Sequence, residues 1–434
     1  MDDRTVRDVS EDSVVTPAAV NELRFGWFHD RLYDPASDDF LYPGLGRAGL
    51  TVASTSNLGL ATSYPRLNPS ETRFSIADNF SMTRGAHTMK YGFEFSNVED
   101  FVKQLINQYG SYSYSTLNQF ALDFSGNVSG AKNWNTYSQT FGNPQVDTNL
   151  KNIGLYAQDQ WRINSRLLFN YGVRYEYTAI PQPTITNPDY PQTGFINSPS
   201  GNIAPRVGLT YNLTKDQKTL LRAGYGIFYS RFQSGLVENL FLSNGVYQTS
   251  ITYNSGTAAQ LAAGPVYPRN LSATTFAPPA GTVDLFYADK NLRDPYTHQA
   301  NVGIERQLNS TMNLNVSYIW SRGVRLYGVR DLNLGPLGAN VTYNIQDASG
   351  ATVGTYTTPT YRTRLDPKYR RVSQIENPGL SYYDGLAVQL NKRYSHGFQA
   401  QLAYTWSHAI DFNQGGASNN IFFSPAPTTY ANGN

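Results

Sequence analysis

The chain has 434 residues and a formal net charge of +2, with 40% hydrophobic, 14% aromatic and only 15% charged residues. The charged share lies well below the roughly 25% of soluble globular proteins, and the near-neutral balance offers nothing to nucleic acid. Cysteine is absent from the sequence, which excludes disulfides and thiolate metal sites, and no run of ~18 apolar residues exists to form a transmembrane helix.

The opening MDDRTVRDVSED is acidic and polar and does not read as a signal peptide. Strands are expected at 8–15 (weakly) and 20–28. A first hairpin follows. Phe74, Ile76, Phe80 and Met82 face one way on its first arm, and Met89, Tyr91, Phe93 and Phe95 on its second. Further strands are expected at 112–115 (weakly) and 137–142. The clearest hairpin is IGLYAQDQWRINSRLLFNYGVRYEY at 153–177. Leu167, Phe169, Tyr171, Val173 and Tyr175 share one face, and Leu168, Asn170, Gly172, Arg174 and Glu176 the other. The pattern returns at 207–229, 300–320 and 386–406. Each arm is about ten residues of apolar and polar alternation, the length and rhythm of a strand with lipid on one side and water on the other.

The expected fold is therefore all-β: an antiparallel transmembrane β-barrel of about fourteen strands. Short turns would face the periplasm and long loops the exterior. The long connections fall at 28–71, 96–133, 178–202, 232–294 and 327–380 and are rich in Pro, Gly, Asn, Ser and Thr. Asp78, Asp159 and Arg306 fall on the apolar face within a few residues of short turns, where a charge costs roughly 0–1 kcal/mol rather than ~2–4 at mid-bilayer.

Enzymatic motifs are missing. His29, His87, His298, His396 and His408 show no HExxH or HxH spacing, and there is no GxSxG or P-loop. No catalytic residue, cofactor or metal is expected, and the protein is not expected to be an enzyme. The acidic loop at 34–39, DPASDDF, lacks the spacing of a calcium-binding EF-hand. Candidate lumen-facing polar residues are Arg174, Glu176 and Arg222. Arg174 is placed to pair with Glu176, and Arg222 with a neighbour across the wall. Trp161, Trp320 and Trp406 read as interface anchors.

Several stretches carry a family likeness in a fixed order: TPAAVNELRFGW, RGAHTMKYGFEF, LYAQDQWRINSRLLFNYGVRYE, IAPRVGLTYNL, LLRAGYGIFY, VSYIWSRGVRLY and YYDGLAVQLNKRYSHGFQAQLAYTWSHAID. Together they resemble the barrel of TonB-dependent outer-membrane receptors, specifically the Oar-like branch. The resemblance implies a cell outer-membrane transporter that binds and imports an extracellular ligand: a carbohydrate, peptide or metal chelate. It also implies an N-terminal plug pulled through a TonB box. Hairpin-type segments begin almost at once here, and the chain ends at FSPAPTTYANGN rather than in a closing amphipathic strand. Residues 1–434 are accordingly expected to be an incomplete receptor-type barrel domain. Its partners would be outer-membrane lipid and an unidentified extracellular ligand. The TonB complex would join only where a plug and box exist. Two other readings remain open: a surface structural or adhesion protein working through its loops, and a secreted polysaccharide-binding β-sandwich.

Overall fold

The computed structural model describes residues 3–32, 46–52, 56–59, 70–103, 105–125, 127–272, 278–361 and 363–411. The acidic loop at 34–39 and the C-terminal FSPAPTTYANGN lie outside the described residues.

In chain order the first strands are β1 (Asp3–Thr16), β2 (Ala19–Arg31), β3 (Gly49–Val52), β4 (Ser56–Gly59), β5 (Ser70–Arg84), β6 (His87–Lys103) and β7 (Ser111–Tyr114). Helix α1 (Leu117–Phe124) precedes β8 (Thr136–Gly142), β9 (Gln145–Asn164), β10 (Leu167–Ala179), β11 (Asn202–Asn212) and β12 (Thr219–Tyr229). Then come α2 (Ser234–Leu242), β13 (Gln248–Asn254), α3 (Ala258–Ala263), β14 (Val283–Ala288), β15 (Tyr296–Gln307) and β16 (Met312–Asp331). The chain continues through β17 (Asn340–Gln346), β18 (Thr352–Pro359), β19 (Tyr369–Ser395) and β20 (Phe398–Asp411).

Twelve of these strands form a continuous antiparallel wall in the order β1-β2-β5-β6-β9-β10-β11-β12-β15-β16-β19-β20. Among the described residues β1 and β20 do not pair with each other, so the wall is an open arc of a barrel. Its hairpins close where the sequence supplies turn chemistry. His396 and Gly397 both take positive φ (52° and 83°), as a two-residue turn matched to strand twist requires. Gly85 does so at the β5–β6 turn (φ 60°).

The other two expected strands, near 112–115 and 137–142, do form, but not in the wall. They are β7 and β8 of a second sheet, ordered β4-β3-β7-β8-β13-β14-β19, built from the long connections. This sheet grows out of the wall through β19. Residues 381–395 of β19 pair with β20, whereas Tyr369–Ile375 pair in parallel with β14. The described parts of the connections are thus ordered rather than irregular, because they carry their own apolar core. Leu50, Tyr112, Tyr114, Trp134, Tyr137, Ile251, Tyr253 and Leu285 are each at most 2% exposed. A second core joins this cap to the wall: Leu236, Val237 and Leu240 of α2 pack with Val146 and Leu150 of β9. Burial of one such side chain contributes roughly 1.5–3 kcal/mol.

Strand β9 shows how one ribbon serves both regions. Near the short turn Leu155 and Ala157 point outward and Tyr156, Gln158 and Gln160 inward. Toward the cap, the inward face changes to Val146, Thr148 and Leu150, all buried. The same face is wet in the wall and greasy beneath the cap.

Candidate functional site

The inward face of β2, β5, β6, β9 and β10 is a lattice of polar side chains. Successive strands pair in a register that places Glu94 opposite Gly154, and Gly154 opposite Glu176. Arg174 reaches across β9 over Gly154. Its Nε donates to Glu176 (2.9 Å), and Nη2 and Nη1 donate to the two Glu94 oxygens (2.7 and 3.3 Å). A Cβ at Gly154 would stand 2.7 Å from the Arg174 Nη2, so glycine is needed for this crossing. Arg231 approaches Glu94 at 3.6 Å. A second chain runs from Arg24 to Glu22, then Asn79, whose Oδ1 accepts from the Tyr156 hydroxyl (2.7 Å). Tyr156 lies over Gly92, where any side chain would collide with its ring. An inward groove of about 590 Å³ runs beside these residues and on to Arg206 and Gly208.

Of the three expected lumen residues, the structure brings Arg174 and Glu176 together. Arg222 sits apart, exposed on β12 opposite Thr210 and Gly303, and makes no ion pair among the described residues. Glu94, Arg231 and Asn79 were not singled out by sequence. Glu94 alternates with Gly92 and Lys90 on the expected polar face. Its partnership with Arg174, however, spans 80 residues and depends on the β6–β9 register, which no turn fixes.

The outward face carries Leu155, Val173, Val207, Val302 and Ile304, all exposed. Its three awkward charges each have a partner. Asp159 accepts from the Tyr171 hydroxyl (2.9 Å) and meets His87 Nδ1 at 2.6 Å. Asn21 donates to Asp78 (2.8 Å), which stands six residues above the β5–β6 turn, higher on the wall than the near-turn position expected of it, and Arg306 donates to the Thr219 hydroxyl. Trp161, Trp320 and Trp406 all fall on this face. Trp161 stacks on His87 (5.5 Å between rings) three residues from the β9–β10 turn. Trp320 lies under the Arg322 guanidinium at 4.9 Å. Trp406 is opposite Leu386 near the open edge.

In the cap, α2 holds Glu238 against the wall. Burial, with Asp100 and Glu71 close by, pushes its carboxyl up to about 7 from 4.5. An acid whose docked pKa is raised favours docking fully below its free pKa, and that support is lost as pH rises through the docked value. Docking of α2 should therefore weaken between about pH 4.5 and 7, by on the order of 1–3 kcal/mol. Hydrogen exchange of the α2 amides, corrected for intrinsic rate, should be slower at pH 5.5 than at pH 8. Glu238→Gln should abolish that difference.

Comparison with known proteins gives three findings. A family model described as an outer membrane beta barrel domain matches residues 2–433. No curated protein matches the sequence. Among solved structures, the chain is similar to the outer membrane transporter YddB from Escherichia coli (11% identity, TM-score 0.52, covering 94% of this chain and 42% of that one). It is also similar to the ferric enterobactin receptor PfeA from Pseudomonas aeruginosa (11% identity, TM-score 0.50, 93% of this chain and 44% of that one). The chain thus spans less than half the length of these structures, and at such identity the likeness is one of fold.

Proposed function

We propose, since this chain belongs to the outer membrane beta barrel domain family, that it forms part of the wall and the outer cap of a TonB-dependent receptor of the Oar-like type. The protein is an outer-membrane β-barrel protein. Its ligand meets the folded cap from outside and passes inward along the polar face that carries Glu94, Arg174 and Glu176. Trp161, Trp320 and Trp406 hold the wall at the lipid–water boundaries. The observation that carries this reading is the division of the molecule: a wall polar inside and apolar outside, with an ordered cap on one end only. Among the described residues the outer edges of β1 and β20 have no strand partner, and each unpaired backbone group costs several kcal/mol in hydrocarbon. Closure therefore takes strands beyond the described residues, with the twelve-strand arc as one portion of the barrel. Coupling to TonB depends on a plug and box outside the elements described.

A second reading, a surface adhesion protein anchored by the barrel, is favoured by one feature. The β17–β18 hairpin forms a separate two-stranded sheet, with Tyr343, Ile345, Val353 and Tyr356 exposed.

Orientation is testable on intact cells. An epitope inserted at Ser349–Gly350, in the β17–β18 turn, should be labelled without permeabilisation. The same epitope at Lys215–Asp216, in the β11–β12 turn, should be labelled only after it. The reverse pattern would overturn the assignment of cap to the exterior.

A further inference from the structure

Between α2, the upper end of β6 and the inner face of the cap sheet lies a cavity of about 290 Å³. That volume lies just under the usual range of ligand sites, roughly 300–1,000 Å³. The two faces of the cap sheet differ. Tyr137, Ile251, Tyr253 and Leu285 on one side fill the aromatic core. On the other, β8 and β13 present a square of hydroxyls to the cavity: Ser138 against Thr252 (3.0 Å) and Thr140 against Ser250 (3.0 Å).

Each hydroxyl has one hydrogen to give and two lone pairs to offer. A mutual bond uses one hydrogen per pair, so each pair keeps another hydrogen and several lone pairs for an occupant. Asn107 also lines the cavity, although its Oδ1 is closed off from the free volume and has no hydrogen-bond partner. The rest of the lining is mixed: Val102, Ile106, Leu242 and Phe286 are apolar, and Asn239, Ser243, Gln248 and Ser373 are polar. Charge is muted. Arg370 and Asp284 neutralise each other through a two-pronged ion pair. Glu238, raised to about 7, is largely uncharged at slightly acid pH. No group of three or more metal-ligating side chains occurs among the described residues.

An occupant must therefore be small and uncharged, with hydroxyls along one edge and C–H groups on another. We propose that this cavity is a binding site for one ring of a neutral saccharide, and that the receptor's ligand is a carbohydrate rather than an anionic metal chelate. This inference rests on the receptor reading above and narrows its ligand class.

The test is calorimetric titration of the full chain in detergent micelles with glucose, galactose and maltose, and separately with ferric citrate. At least one of the three sugars should bind. Thr140→Val keeps the shape and removes one hydroxyl, and should weaken that binding about tenfold. Ser250→Leu should fill the cavity and abolish it. Both variants should keep the wild-type melting profile. Absence of heat with all three sugars would overturn the proposal, as would sugar binding unchanged in both variants. Ferric citrate binding that is lost in Ser250→Leu would overturn it too. The epitope experiment judges the receptor reading separately. Sugar binding by a chain whose cap is not exposed on cells would leave the cavity assignment and remove the receptor; an exposed cap without sugar binding would do the opposite.

Discussion

Arginine in place of Val173 should destabilise the wall in a lipid bilayer by about 2–4 kcal/mol, the cost of a cation at mid-depth on the lipid face. Val173 lies six residues above the β9–β10 turn, is 45% exposed and points outward between Ala157 and Pro205 on the neighbouring strands. Six residues at ~3.4 Å along a strand tilted by about 45° climb roughly 14 Å, near the middle of an apolar band about 25 Å tall. Gln158, on the adjacent strand at nearly the same height, points inward. Gln158→Arg should change stability by less than about 0.5 kcal/mol, because the new guanidinium remains in water. Urea unfolding from phospholipid vesicles measures both. Equal costs at the two positions would mean that the two faces do not differ in solvent.

Trp134→Ala should cost the cap about 3–5 kcal/mol, the usual range for emptying a buried indole site. Trp134 is 1% exposed and packs beside Tyr137, and its Nε1 donates to the Pro265 carbonyl at 3.0 Å. Removing it opens a cavity and strands that carbonyl. The damage should be regional, since Trp134 touches the cap core and not the lower wall. Amide protection should fall in β8 and β13 and persist in β10, β11 and β12. Loss confined to the wall, or no loss anywhere, would contradict an independently packed cap.

The sequence shows the wall far better than the cap, and the reason is physical. Strand β10 keeps one phase from Leu167 to Tyr177, because the same two solvents flank it throughout, and a two-residue rhythm makes it legible. In β9 the rhythm holds from about Ile153 onward and reverses in Val146–Leu150, where the inward face meets α2 instead of water. Periodicity alone therefore ends the strand eight residues early. The extension of β19 back to Tyr369 is hidden likewise: β16 stays paired with it as far as Ser373, but its other neighbour changes from β20 to β14 and its surroundings change with it. The short helices escape notice because eight or nine residues give barely two turns of pattern. Fourteen strands were countable, but counting could not separate β7 and β8 from the wall: alternation reports two faces, not which sheet owns them.

The candidate site divides in the same way. Arg174 and Glu176 are neighbours on one strand face, so their pairing is visible by eye. Glu94 reaches Arg174 only through two long-range registers, and the cap hydroxyls of Thr140 and Ser250 meet across 110 residues. Nothing local encodes such meetings.

A membrane-spanning wall requires that lipid and water alternate along each strand. The natural lack of cysteine permits a clean test: single cysteines placed one at a time from Phe169 to Glu176 of β10, each carrying a fluorophore in phospholipid vesicles. Quenching by brominated lipid should be strong at Phe169, Tyr171, Val173 and Tyr175. Quenching by aqueous iodide should be strong at Asn170, Gly172, Arg174 and Glu176, in antiphase. Odd positions shielded from both quenchers would place these side chains in a dry interior between packed layers and contradict the membrane-spanning wall.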